Sequence, residues 1–467
     1  MDEQVKRLIA VTPQPRQIAW QELEFTAFIH FGMNAFTNRE WGDGSEDPAI
    51  FHPSRLDTDQ WCAALCAAGI KAVLLTAKHH DGFCLWDTKQ TDHSVMRSPY
   101  GKDIFRQLSI SCKKFGLKLG VYLSPWDRHD PRYGQGKPYD DFFCAQLTEL
   151  LTGYGELYCV WFDGACGEGP NGKRQRYDWA RYYQVIRSLQ PGAVISVCGP
   201  DVRWCGNEAG HCRPSEWSVV AAGMRDNEKI HEKSQQADDD AFRERTIPSG
   251  EEDLGSRQAL AGIEELIWYP AEVNTSIRPG WFYHPEEDEK VKPLEELKKV
   301  YLQAVGGNAV MLLNIPPNRE GLFAVPDVRR LCELGDFIRG SLSRNLLEGA
   351  RFSASAAEAD HPASLLEEGK GYWKAPDSQE SAVLEITAAV PVCARYLRLK
   401  EEITRSQRIE GFILEALENG EWRTVCEGTT AGYQRIVPFS EPATAQRWRL
   451  TITASRAGAT LKALMLH

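Results

Sequence analysis

Residues 76–88 read TAKHHDGFCLWDT, placing His79, His80, Asp81 and Trp86 directly after the apolar run KAVLLTA. Neighbouring side chains on a strand point to opposite faces, so a histidine pair there marks a strand finishing and a loop beginning. Other apolar runs end in the same way. His30 closes FTAFIHF, with Glu40 and Trp41 in the loop behind it, and Tyr122 stands in LKLGVYLS, with Trp126 and Asp127 beyond. Trp161 and Asp163 close LYCVWFD, while Arg203, Trp204 and Glu208 follow AVISVCG, with Glu216 and Trp217 further on. NTSIRPGWFYH adds Trp281 and His284. Carboxylates, imidazoles and indoles gathered at strand ends suit sugar chemistry: one acid protonates the departing oxygen, one carboxylate attacks or stabilises the anomeric carbon, and aromatic faces cover the apolar side of the ring. Taken singly, each has an ordinary reading, Asp163 as a turn residue, Glu208 as a solvated loop residue and the tryptophans as core.

A metal hydrolase is the competing chemistry. His30, His79, His80 and His211 are imidazoles of the kind that zinc-binding barrels draw from several strands, and CGNEAGHC holds Cys205, His211 and Cys212 close together. That spacing matches no zinc motif, and adjacent histidines on a strand are expected to face apart, so no metal ligand is assigned.

The elements that must carry these residues alternate. Strand-type runs at 25–31, 71–77, 117–124, 157–163, 193–199 and 308–315 are separated by amphipathic stretches such as DTDQWCAALCAAGI and DIFRQLSISCKKFG, which open on Asp and close on Gly as capped helices do. Near-continuous apolar strands in repeated βα units predict a parallel sheet covered on both faces. No G-x-G-x-x-G turn follows the early strands, which favours an α/β fold of the (β/α)-barrel type over an open dinucleotide fold. Residues 220–265 read as polar loop in place of a helix, which makes the barrel irregular. In a barrel, chemistry sits at the C-terminal strand ends, where the candidate residues fall. Past 341 the pattern becomes period-two alternation, as in SAVLEITAAV and RWRLTITAS, with ENGEW as a hairpin turn. The expected organisation is a barrel over 1–341 and an all-β sandwich over 342–467.

At 467 residues the chain is long enough for two domains, and its 42% hydrophobic and 25% charged residues are globular in composition. A net charge of −11 argues against nucleic acid and for a neutral ligand. The 13 cysteines are odd in number and scattered through apolar runs, so they read as free thiols. No run reaches membrane-spanning length, and MDEQVKRLIAVTPQPRQ contains no signal-type apolar core, so the sequence as it stands reads as cytoplasmic, or as periplasmic or secreted if a signal was removed. Oligomeric state is not readable.

FIHFGMNAFTNREWGDG, AVLLTAKHHDGFCLWDT, GVYLSPWD and VWFDGA together resemble the α-L-fucosidases of glycoside hydrolase family 29, over most of residues 15–340. The resemblance implies an irregular (β/α)-barrel followed by a β-sandwich of the discoidin or carbohydrate-binding-module kind. It implies a retaining mechanism with Asp163 as nucleophile. RWCGNEAG, then SEW and SIRPGWF, is similar to the branch that cleaves α-1,3- or α-1,4-linked fucose, where the acid/base matches Glu208, with Glu216 and Glu272 as rivals. His30, Glu40, Trp41, His79 and His80 match positions that hold sugar hydroxyls, and Trp281 matches an aromatic near the sugar. Tyr122, Trp161 and Arg203 fall where pocket lining is expected. The implied partner is a fucosylated oligosaccharide, and no cofactor is expected beyond room for a structural calcium in the second domain. A lectin-like barrel would keep the aromatics and lose a carboxylate; here Asp163 and Glu208 are both present, which favours an enzyme over a fucose-binding barrel.

Overall fold

The computed structural model describes residues 2–239, 242, 245–369 and 371–467. The apolar runs become parallel strands β1 (Phe25–Ile29), β2 (Ala72–Lys78), β3 (Lys118–Leu123), β4 (Leu157–Phe162) and β5 (Val194–Val197). They are followed by β6 (Arg203–Trp204), β7 (Ala271–Ser276) and β8 (Ala309–Asn314). The order in the sheet is β5-β4-β3-β2-β1-β8-β7-β6, and a parallel bridge between Ser196 and Val202 draws its two edges together. The result is a near-closed eight-stranded barrel, as the alternating pattern predicts. Helices α1 (Thr58–Ala68), α2 (Ile104–Phe115), α3 (Lys137–Gly153), α4 (Trp179–Leu189), α5 (Leu294–Ala304) and α6 (Val325–Leu342) cover its outside. Asp57, Asp103 and Asp178 accept the first free backbone N–H groups of α1, α2 and α4.

Two strands are invisible to a search for apolar runs. β6 has two residues, and β7 reads AEVNTS because its inward positions carry polar side chains. The stretch expected as loop over 220–265 is more structured than that: Val219–Ala221 pairs with Leu266–Trp268, and Asn227–Lys233 is helical. Among the described residues no barrel helix follows β5, whose link to β6 is only a few residues. The helix Pro15–Gln21 covers that side instead, with the Gln17 amide donating to the carbonyls of Asp201 (2.8 Å) and Trp268 (2.9 Å).

After α6 the chain becomes an antiparallel β domain built on Arg351–Ala354, Ala382–Lys400, Ile409–Glu418, Glu421–Gly428, Arg435–Ser455 and Ala463–Leu466. The two longest strands pair with register shifts at Thr387/Val392 and Ala394/Tyr396, which bend the sheet around a core containing Phe412, Trp448 and Leu450. Asn419 and Gly420, both at positive φ, form the expected hairpin turn. The two domains meet at Glu24, whose carboxylate takes Lys400 (2.8 Å), Lys71 (3.2 Å) and Arg398 (3.3 Å). Burial opposes its ionisation, yet the three cations hold its pKa down to about 2. No helix of the described residues is long and apolar enough to cross a membrane.

Inside the barrel, Glu272 of β7 is 1% exposed. The Trp161 indole donates to its Oε1 at 2.7 Å and Ser196 Oγ lies 3.4 Å from Oε2. Burial pushes its pKa from 4.5 to about 7, the two hydrogen bonds opposing. Because ionisation is disfavoured in the folded chain, stability falls as pH rises from about 4.5 to about 7. Glu272→Gln keeps an acceptor for Trp161 and removes the titration. Thermal denaturation should show no advantage for the variant near pH 4.5 and an advantage of about 3 kcal/mol at pH 8. A variant less stable than wild type at pH 8 would show that the carboxylate form is needed.

Candidate active site

The C-terminal strand ends enclose a cleft, the place where barrel folds carry their chemistry. It is lined by His30, Glu40, Trp41, His79, His80, Trp161, Asp163, Trp204, Glu208, Asn274 and Trp281, among others. Residues 30 to 281 of the sequence thus converge on one place.

β2 and β3 pair with a register shift between Thr76 and Lys78. Lys78 is buried with its ammonium on Asp127 Oδ2 (2.9 Å) and Gln146 Oε1 (3.0 Å). The chain then turns at Gly82, whose φ is +78° and whose missing Cβ would lie 2.6 Å from Asp127 Oδ1. The expectation that His79 and His80 face apart is therefore wrong. Their ring centroids are 4.1 Å apart and both line the cleft. Asp81 completes the turn by accepting the Phe83 N–H at 2.7 Å.

Hydrogen bonds fix the histidine tautomers. The Ser124 hydroxyl gives its proton to the Trp126 carbonyl (2.6 Å), so it accepts from His80 Nδ1 (2.8 Å) and leaves His80 Nε2 bare. His30 Nδ1 donates to Asn314 Oδ1 at 2.8 Å, again leaving Nε2 as an acceptor. Burial keeps these rings neutral: it pulls His30 down to about 4, His80 to about 3 with Arg128 and Lys78 assisting, and His79 well below its usual range.

Asp163 follows β4. Its Oδ1 accepts the Ala165 N–H (2.9 Å) and its Oδ2 accepts the Tyr122 hydroxyl (2.8 Å), with His80 Nε2 3.7 Å away. Burial raises its pKa above the ordinary aspartate value, against these hydrogen bonds. Tyr122 reaches the site through this contact and stacks on Trp161 at 5.3 Å.

Glu208 sits on the loop after β6. Asn207 Oδ1 accepts the N–H groups of Ala209 (3.1 Å) and His211 (3.0 Å), a turn that presents the intervening glutamate. The Trp281 indole donates to Glu208 Oε2 at 2.9 Å. Trp281 is itself held by Glu40, which accepts the backbone N–H groups of Trp281 (2.8 Å) and Phe282 (3.2 Å) and pairs with His284 at 2.6 Å. Glu40 thus anchors a loop at the cleft wall. Trp41 meets His80 and Trp126 edge to face at 5.2 and 5.4 Å.

Arg203 does not line this cleft. On β6 it alternates with Trp204, which does, so its guanidinium turns the other way to Glu216, the Trp217 carbonyl (2.8 Å) and the Tyr269 carbonyl (2.9 Å). Glu216 is buried between Arg203 and Arg213, which hold its pKa low against desolvation. Glu272 lies beneath Trp161. Neither rival carboxylate lines the cleft. Nor does the structure assemble the imagined zinc set, since His211 is exposed and lines no part of the cleft. Among the described residues, the group of three metal-capable side chains brought together is His79, His80 and Asp163. Sequence reasoning missed Asn274, Asn314 and Ser124; a polar residue ending an apolar strand, as in VMLLNI, was the available signal for Asn314.

Comparison with known proteins places this arrangement. The α-L-fucosidase family model matches residues 46–341. The chain is 38% identical to α-L-fucosidase 1 of Arabidopsis thaliana over 97% of its own length and 87% of that protein's. It matches a crystal structure of a Bacteroides ovatus protein assigned as an α-L-fucosidase with a TM-score of 0.85 and 45% identity, over 99% of this chain and 75% of that one. A Ruminococcus gnavus fucosidase of family 29 in complex with fucose matches with a TM-score of 0.82 and 27% identity, over 98% and 95% of the two chains. Family model, near full-length relative and barrel agree with the carboxylate-lined cleft: this chain belongs to the α-L-fucosidases of glycoside hydrolase family 29, a family of glycoside hydrolases.

Proposed function

We propose that the chain is a retaining exo-α-L-fucosidase acting on terminal fucose linked α-1,3 or α-1,4 in branched, Lewis-type glycans. The observation that carries this reading is that Asp163 and Glu208 line one cleft with three neutral histidines and four tryptophans. Asp163, ionised, attacks the anomeric carbon while protonated Glu208 donates to the leaving oxygen; water then hydrolyses the glycosyl-enzyme with Glu208 as base. Neutral imidazoles with bare nitrogens accept sugar hydroxyls without adding positive charge beside an oxocarbenium-like transition state. A second cleft shares Glu208 and Trp281 with the first and continues past His211 and Ser276. It gives a branched acceptor room on the leaving-group side, which supports the 1,3/1,4 assignment. The fucose complex of the Ruminococcus gnavus relative supports fucose as the sugar.

Asp163→Ala should lower kcat by roughly 10⁴-fold or more while fucose still binds, measured by turnover and by isothermal titration. Unchanged turnover would remove Asp163 from the nucleophile role. Glu208→Ala should cost about 10²–10⁴-fold on a natural glycoside and much less on an aryl fucoside whose leaving group departs without a proton. Equal losses on both would move the acid elsewhere. A Lewis-type trisaccharide should be cleaved at least about tenfold more efficiently than p-nitrophenyl α-L-fucoside. The reverse preference would return the chain to the broad-specificity branch.

A further inference from the structure

His80 Nε2 and Asp163 Oδ2 stand 3.7 Å apart. The Ser124 contact leaves that nitrogen without a proton, and an ionised carboxylate has none to give, so two lone-pair acceptors face each other across the floor of the cleft. Such a pair is stabilised by whatever brings positive charge between them, a donated hydroxyl or a cation. His79 adds a third donor: the ligand-capable atoms of His79, His80 and Asp163 all lie within 4.8 Å of one another, and His79 Nδ1 is buried without a hydrogen-bond partner. Two ligands of a tetrahedral zinc ion stand about 3.4 Å apart when each bond is 2.0–2.1 Å, so closing on an ion asks little of the 3.7 Å pair.

At His80 the supporting shell has the form that a metal-binding histidine requires. A ligating imidazole almost always donates its other N–H to a carbonyl, carboxylate or hydroxyl, which fixes ring and tautomer. His80 does this through Ser124 to the Trp126 carbonyl.

We propose that His79, His80 and Asp163 form a binding site for a borderline divalent transition-metal ion, Zn²⁺ or Cu²⁺, which occupies the cleft in competition with the sugar and so inhibits the enzyme reversibly. The competing ligand follows from the function proposed above; the metal site itself follows from the donor set. Nitrogen donors select Cu²⁺ over Zn²⁺ and both over Mg²⁺, which prefers all-oxygen ligands.

The test is isothermal titration of the full chain with ZnCl₂, with and without saturating L-fucose, beside MgCl₂. One Zn²⁺ site should appear, weakened more than about tenfold by fucose, by Asp163→Asn and by Ser124→Ala, the last through loss of the His80 partner. In the hydrolysis assay Zn²⁺ should raise KM and leave kcat unchanged, and a chelator should restore activity. Zn²⁺ binding unaffected by Asp163→Asn and Ser124→Ala places the ion elsewhere, for example at the exposed thiol of Cys393, and overturns the proposal. Absence of Zn²⁺ binding, or inhibition by Mg²⁺ of equal strength, overturns it as well. If L-fucose itself fails to bind, the proposed function falls, while the two variants still decide the metal site.

Discussion

The buried contact of Lys78 with Asp127 and Gln146 sets the geometry on which the cleft depends. An ammonium that is 0% exposed must be paired, and its partners lie on the segment after β3 and on α3, outside the barrel wall. Lys78 is thereby committed to the outer face at the strand's last position, and His79 to the inner one. A buried ion pair adds little net stability over an apolar pair of similar volume, but losing one partner leaves a charge that costs about 3–5 kcal/mol. Its effect is registry: β2 cannot slip by one residue without placing a lysine in the cleft and a histidine in the helical layer.

From that registry the chemistry follows in layers. His30 and His80 present bare nitrogens because Asn314 and Ser124 accept their other protons, and the acceptors are placed by strands β8 and β3. Asp163 receives two donors, one of them from Tyr122, which stacks on Trp161; Trp161 in turn is tied to the buried carboxyl of Glu272. The carboxylate proposed as nucleophile is therefore oriented through Tyr122 and, behind it, Trp161 and Glu272. Side chains locked in this way supply preorganised dipoles, and no reorganisation is needed when charge develops on the sugar ring.

The barrel was legible because alternation of apolar strands and capped amphipathic helices is a strong periodic signal, and VWFDGA and KHHDGF mark two of its strand ends. β6 and β7 were not legible, since one is two residues long and the other hides polar inward positions such as Glu272 and Asn274. Two expectations were corrected. The resemblance put Arg203 at the pocket although Trp204 beside it occupies the inward position, and strand alternation made it hard for His79 and His80 to face one ion, because a register shift and a turn are invisible in the residue types. Ser124, which orients His80, carries no signature of its own and becomes visible only through distances, whereas Asn314 is marked in the sequence only by its place at the end of an apolar strand.

The missing helix after β5 and the extended excursion after β6 have a physical consequence for Glu208. A carboxyl presented from a loop must be both held and shaped, and here two devices do this. Arg203, Arg213 and Glu216 knot the base of the loop, with Arg213 also donating to the Cys205 carbonyl at 3.0 Å. At the tip, the Asn207 turn and the Trp281 indole fix the carboxyl itself. Trp281 depends on Glu40, which comes from the opposite end of the barrel sequence. Glu208 is thus positioned by β6 from below and by the β1 loop through Trp281 from the side. The acid/base candidate and the histidine floor share the same frame even though, among the described residues, only the short α-helix Asn227–Lys233 follows the loop that carries Glu208 before β7.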